Sequence, residues 1–133
     1  MHGDIQTFTP QNTMTPIGPY SHIAKVGGFI TIGGTAGVDP ATGNLAGPDV
    51  AAQTRQILDA FAVMLASVGS DLSHVLHINV FLIDMRDFDT MNAAYGDRMQ
   101  GAKPARTAVQ VASLPKPGAR ITMNATAVEK PTA

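Results

Sequence analysis

The feature of this sequence that most constrains its fold lies between residues 49 and 99, where the spacing of hydrophobic residues changes twice. From Asp49 to Val68, apolar residues recur every three or four positions, which predicts an amphipathic helix. From Val75 to Ile83, β-prone residues predict a strand, and a helical period returns from about Asp87 to Met99. The centre of the chain is therefore expected to fold as helix, strand, helix.

Shorter β-prone segments flank this centre. A short edge strand is predicted over Ile5–Phe8, and a hairpin is predicted for His22–Val26 and Phe29–Ile32, which are joined by Gly27-Gly28. After the second helix, one strand follows Pro104 and a last one spans Arg120–Val128. The order β-β-β-α-β-α-β-β predicts an α+β fold with two helices packed on one face of a mixed β-sheet.

The periodicity also predicts which side chains enter the core. In the first helix, Gln53 is expected to point away from the apolar stripe. In the central strand, the face that carries Leu76 and Ile78 is expected to be buried. One layer of helices leaves the other sheet face uncovered. Its expected residues, Phe81, Ala108, Ala125 and similar ones, are apolar or small, so we expect a partner chain to cover them.

A basic residue near the start of the strand after Pro104 is the first candidate for chemistry. Alternation places Arg106, Ala108 and Gln110 on one face, expected to lie away from the core, and Thr107, Val109 and Val111 on the other. The planar guanidinium of Arg106 offers a fork of donors suited to a carboxylate. The alternative is structural: Arg106 extends to water or pairs with an internal Asp or Glu.

Composition limits the class of protein. The 133 residues are expected to form a single domain, residues 1–133, and nine basic and ten acidic residues give a net charge of −1. This balance argues against nucleic-acid and membrane partners. Charged residues are only 14% of the chain, which favours an oligomer that hides part of the surface. No signal sequence or long apolar segment is visible, so a cytoplasmic protein is expected.

Other reactive groups are few. The absence of cysteine excludes disulfides, thiolate nucleophiles and zinc–thiolate sites. His22, His74 and His77 lack a metal-ligand spacing, so no metal site is expected. The segment from Gly33 to Gly37 contains three glycines without the ending of a phosphate-binding loop, and its bare backbone can approach a ligand or a neighbouring chain.

Four segments in one order carry a family resemblance. They are Ile17-Gly18-Pro19-Tyr20-Ser21, Asp39-Pro40-Ala41-Thr42-Gly43, Gln53-Thr54-Arg55-Gln56-Ile57-Leu58, and the segment from Pro104 to Pro115, PARTAVQVASLP. Together they resemble the RidA/YjgF family of reactive-intermediate imine deaminases. The similarity extends from about Pro16 to Val128.

The resemblance implies a chorismate-mutase-like fold, a homotrimer, and ligand clefts between subunits. It also implies cofactor-free hydrolysis of small 2-imino and 2-enamino acids, such as 2-aminoacrylate, to 2-keto acids and ammonia. By position, Arg106 matches the arginine that holds the substrate carboxylate, Tyr20 a cleft tyrosine, and Asn92 a cleft asparagine. The backbone at Gly34 and Ala108 matches positions that line the same pocket.

Three positions depart from the family pattern. Gly33 stands where a serine hydroxyl is common, and Ala108 replaces a frequent cysteine. Asn124 replaces a glutamate near the hydrolytic water, and an amide cannot take a proton as a carboxylate can. Two alternatives to the deaminase therefore stay open: a non-catalytic module that binds small carboxylates, and a deaminase whose gap at Gly33 admits a bulkier acid.

Overall fold

The computed structural model describes residues 3–132, in which two helices pack on one face of a six-stranded sheet. The elements in chain order are β1 (Gln6–Phe8), β2 (Ile23–Val26), β3 (Phe29–Ala36), α1 (Val50–Ser67), β4 (Val75–Leu82), α2 (Phe88–Met99), β5 (Ala105–Gln110) and β6 (Ile121–Val128). The strand order is β1-β2-β3-β6-β4-β5, and only β4 and β5 run parallel. The predicted α+β class, mixed sheet and element order are confirmed.

The core lies between the helices and the sheet. Alternate residues of the central strands, such as Ile32, Ile78 and Met123, have at most 1% of their surface exposed. They face Phe61 of α1 and Met91 of α2, which are fully buried. The two periods read from the sequence therefore meet in one apolar layer, as period-2 and period-3.6 patterns do when a sheet and a helix share a core.

The ends of α1 lie where the sequence placed them, with one difference. Asp49 occupies the N-cap position, but its side chain accepts no capping hydrogen bond. At the other end Gly69 has φ +80°, and the amide of Ser70 donates to the carbonyl of Leu65 at 2.8 Å. A left-handed glycine followed by such a bond is the usual way to end a helix.

The prediction for the faces of β5 is wrong. Arg106 pairs with Ile78 and Ala108 with Val80, so both face the helix layer, and Ala108 packs against the core. The opposite face of β5 is the open one, where Val109 is 40% exposed. Arginine on a core-facing position is tolerated here because β5 is an edge strand, where a long side chain reaches the rim of the core.

Three further orientations differ from the periodicity. Gln53 is fully buried instead of pointing outward, because it bonds backbone groups of two loops. Leu76 is 46% exposed and Val75 is buried, because the β4–β6 register shifts between Val75 and His77. Ala125 is buried under the helices and not on the open face.

The glycine-rich end of β3 contains a bulge. Ile32 pairs with Ala125 and Thr35 with Met123, so β3 has one extra residue at Gly33-Gly34. A Cβ at Gly37, the residue after β3, would lie 2.6 Å from the carbonyl oxygen of Gln53, so only glycine permits the chain to approach α1 this closely here.

Candidate functional site

The Arg106 guanidinium lies over two aromatic rings of α2. Its Cζ is 4.9 Å from the Tyr95 ring centroid and 5.7 Å from that of Phe88, and Nη1 is 3.8 Å from the sulfur of Met91. These residues form one stripe of α2 because they are three or four positions apart. Stacking on aromatic faces stabilises a cation and leaves its in-plane N–H groups available to a ligand.

The ion pair proposed as the structural alternative is not formed with any residue from 3 to 132. Arg86, Arg98 and Arg120 each contact an aspartate in that range, whereas none of its carboxylate oxygens lies within 4.0 Å of the Arg106 guanidinium. Arg106 therefore retains its capacity to bind a carboxylate.

Two polar side-chain atoms of α2 are buried, and one of them belongs to the Tyr95 ring beneath this cation. Asn92 Oδ1 and Tyr95 Oη have no hydrogen-bond partner among residues 3–132. Burial raises the pKa of Tyr95, and the nearby charge of Arg106 opposes this rise only in part. The Tyr95 hydroxyl is therefore neutral at pH 7. A cleft of about 280 Å³ adjoins Arg106, and it is lined by Tyr95, Gly96, Arg106 and the segment 101–104.

Tyr20, Gly33 and Gly34 lie elsewhere, in a groove of about 920 Å³. Phe81 and Thr122 form the floor of this groove, and both are on the sheet face that the helices leave open. Its walls come from the loops around residues 13–17 and 111–116. The groove is mostly apolar, as ligand and subunit contacts tend to be.

Asn124 belongs to this second face. It is on β6 two residues from Thr122, and its Oδ1 accepts a hydrogen bond of 2.9 Å from Nδ2 of Asn79 on β4. Its carbonyl oxygen is therefore already engaged within the sheet.

The structure thus divides the predicted site residues into two groups. Arg106, Asn92 and Ala108 lie on the helix side of β5, and Tyr20, Gly33, Gly34 and Asn124 lie on the open side of the sheet. The sheet separates the groups within one chain. Gathering them into one site takes a second copy of the chain.

Two features of this region were not predicted as parts of the site. Phe88 and Tyr95, the rings beneath Arg106, were predicted only as core residues on the apolar stripe of α2. Asn92, a predicted site residue, lies on the edge of the same stripe. Spacing within α2 gave a signal that these residues share one stripe, but not that the stripe meets Arg106. No such signal existed for Asn79, whose contact with Asn124 depends on strand register across 45 residues.

The residue types offer no obvious cation site. Among residues 3–132, no three His, Asp or Glu side chains converge as potential metal ligands.

No helix in the same range is both long and apolar enough to cross a bilayer.

Comparison with known proteins decides the family. The family model described as endoribonuclease L-PSP matches residues 10–129, nearly the whole chain. The chain belongs to the RidA/YjgF family. The mouse 2-iminobutanoate/2-iminopropanoate deaminase, a relative, is 41% identical over 115 residues, which are 86% of this chain and 84% of the mouse protein.

Solved RidA/YjgF structures share the fold. The crystal structure of the YjgF gene product of E. coli has a TM-score of 0.86 and 34% identity, covering 94% of this chain and 99% of that one. The structure of E. coli TdcF with bound serine has the same TM-score and coverage at 30% identity. The family and the fold expected from the ordered sequence segments are both confirmed.

Proposed function

We propose that this protein hydrolyses small 2-imino and 2-enamino acids to 2-keto acids and ammonia without a cofactor. The observation that carries the proposal is the Arg106 guanidinium, supported by two aromatic rings and without an acidic partner among residues 3–132. Relatives about 41% identical are named imine deaminases, which supports this chemistry for the family.

The reaction needs little from the protein. A 2-enamino acid first gains a proton on its β-carbon and loses one from nitrogen, which gives the imine. Water then adds to the electrophilic C=N carbon, the resulting carbinolamine loses ammonia, and a C=O bond remains. In this proposal Arg106 binds the carboxylate and the backbone amide of Gly34 provides a further donor. Gly33 lines the site, but its own amide already donates to the His22 carbonyl at 3.0 Å. Tyr20 forms a wall with one hydroxyl, and Asn92 and Ala108 complete the lining. Holding the acid and placing one water lowers the barrier by orientation and preorganised charge.

We propose that the site forms between copies of the chain in a homotrimer. Arg106 and Tyr20 lie on opposite sides of one sheet, so a cleft that contains both takes one residue from each of two subunits. The open sheet face carries an apolar groove suited to contact with a neighbouring chain.

A second candidate function is a binding module without efficient hydrolysis. The observation that favours it is Asn124, an amide whose oxygen is engaged by Asn79. Such a group does not accept a proton from the attacking water. A third candidate is a deaminase for a bulkier acid, which is favoured by the open space where a Cβ of Gly33 would be.

The deciding experiment generates 2-aminoacrylate in solution and follows pyruvate release with and without the protein. We expect acceleration by the wild type, near-complete loss with Arg106→Ala, and no loss with Arg98→Ala, whose arginine pairs with Asp59. Absence of acceleration, with pyruvate binding that depends on Arg106, favours the binding module. Loss with neither variant contradicts the role of Arg106.

Asn124→Glu tests the water-handling group separately. If the amide limits hydrolysis, a carboxylate at this position raises kcat, by about tenfold to a hundredfold, with little change in KM. A companion Asn124→Gln keeps the amide and lengthens the side chain. An equal gain with Gln would contradict proton transfer as the cause.

A further inference from the structure

A buried histidine links three parts of the groove. His22 is 2% exposed, and its Nε2 hydrogen-bonds the backbone carbonyl of Met14. Its ring meets that of Tyr20 edge-to-face, with centroids 6.2 Å apart and planes at 69°. Its own carbonyl accepts the amide of Gly33 at 3.0 Å.

Each of these partners lines the groove. Met14 belongs to the loop that forms one wall, Tyr20 projects into the groove, and Gly33 begins the bulge of β3. The Met14 loop and Tyr20 therefore share one buried side chain as a contact, and Gly33 is held by the backbone carbonyl of the same residue. Nothing else in the proposed chemistry uses the imidazole.

We infer that His22 is a positioning residue whose imidazole fixes Tyr20 and the Met14 loop in the geometry of the ligand site. This inference rests on the proposed function for its catalytic consequence. This hydrogen bond to the Met14 carbonyl fixes which ring nitrogen is the donor. A carbonyl oxygen can only accept, so Nε2 must carry the proton. The edge-to-face contact restricts the Tyr20 ring, which is 43% exposed in the structure.

Two variants separate the two contacts. His22→Gln keeps a donor that reaches the Met14 carbonyl but removes the ring. His22→Phe keeps a ring beside Tyr20 but removes the donor. His22→Leu removes both, and His74→Leu is the control, because His74 bonds Asp71 in a different loop.

The first readout is the environment of Tyr20. The chain has two tyrosines and no tryptophan, so in a Tyr95→Phe background the tyrosine emission comes from Tyr20 alone. We expect acrylamide quenching of Tyr20 to rise about twofold with His22→Leu, less with His22→Gln or His22→Phe, and not at all with His74→Leu.

The second readout is steady-state kinetics in the wild-type background. We expect His22→Leu to raise KM about threefold to tenfold, the range that loss of one hydrogen bond produces, with rescue by His22→Gln. If Gln and Phe both match the wild type in quenching and KM, the inference is overturned, even when His22→Leu fails to fold. An inactive wild type would contradict the proposed function, and the quenching result would still decide the role of His22.

Discussion

At the level of single residues, the orientation of the Arg106 guanidinium depends on the Tyr95 ring beneath it. Its Cζ is 4.9 Å from the Tyr95 centroid, a distance at which a cation–π contact contributes about 0.5–2 kcal/mol. We predict that Tyr95→Leu weakens pyruvate binding about threefold to tenfold in calorimetry, since the unsupported guanidinium samples more orientations. Tyr95→Phe keeps the ring and should bind like the wild type. Equal losses with Phe and Leu would assign the effect to the hydroxyl instead.

Asp71 gives a residue-level prediction on pH. Hydrogen bonds from His74 and Ser73 lower the pKa of Asp71 from 3.8 to about 2. A lowered carboxyl pKa stabilises the fold above the unfolded pKa, and this contribution fades as the pH falls from about 4 to about 2. We predict that Asp71→Asn lowers Tm slightly at pH 7 and that the difference shrinks across that interval. A difference that stays constant down to pH 2 would contradict this account; Asp97→Asn is the control.

At the level of elements, Gln53 joins α1 to two loops. Its amide nitrogen donates to the carbonyls of Gly47 and Gly118, and its oxygen accepts the Arg120 amide at 2.8 Å. Gln53→Leu would remove the side-chain partner of these three backbone groups, and Gln53 itself is fully buried. We predict a loss of about 2–4 kcal/mol in the free energy of unfolding, measured by urea denaturation. Gln56→Leu on the same helix, without such bonds, should lose far less; equal losses would refute the role of the network.

The approach of β3 to α1 gives a second prediction for an element. Because a Cβ at Gly37 would lie 2.6–2.9 Å from atoms of Gln53, Gly37→Ala must displace α1 or β3. We predict a loss of about 1–3 kcal/mol in the free energy of unfolding. Gly34→Ala is the matched control, because a Cβ there meets no atom within 4 Å. Equal stability of the two variants would disprove a steric requirement at position 37.

The sequence predicted the elements well and some orientations poorly, for identifiable reasons. Periodicity gave the helices and strands because burial of one face imposes a period. It misassigned the faces of β5, because each face of that strand carries residues that could belong to a core. Only the pairing of Arg106 with Ile78 shows which face meets the helices. It misassigned Gln53 because a polar side chain is buried wherever distant backbone groups satisfy it, and such partners leave no local pattern.

The candidate site was also predicted only in part: its residues were identified, but not their arrangement in space. The ordered segments marked Arg106 and Tyr20 through resemblance, and Pro104 marked the start of β5. Their separation by the sheet was not predicted, because it depends on strand order across the whole molecule. The support of Arg106 by Tyr95 depends on packing between α2 and β5, which spacing within α2 alone does not specify.

At the scale of the whole molecule, a shared site predicts complementation between inactive variants. We expect a mass in solution of three times the 13.9-kDa chain. Arg106→Ala and Tyr20→Ala should each be inactive alone. When equal amounts are unfolded and refolded together, about one cleft in four receives both wild-type residues, and activity should return in that proportion. No recovery in a mixture shown to be co-assembled would place the site within one chain.

The placement of Arg106 and Tyr20 on opposite sides of the sheet also governs how the protein behaves on dilution. If each reaction centre is built by two chains, an isolated chain lacks a complete centre and is catalytically silent. The abundance of the protein then sets turnover per chain as well as total turnover, and activity disappears below the dissociation constant of the assembly.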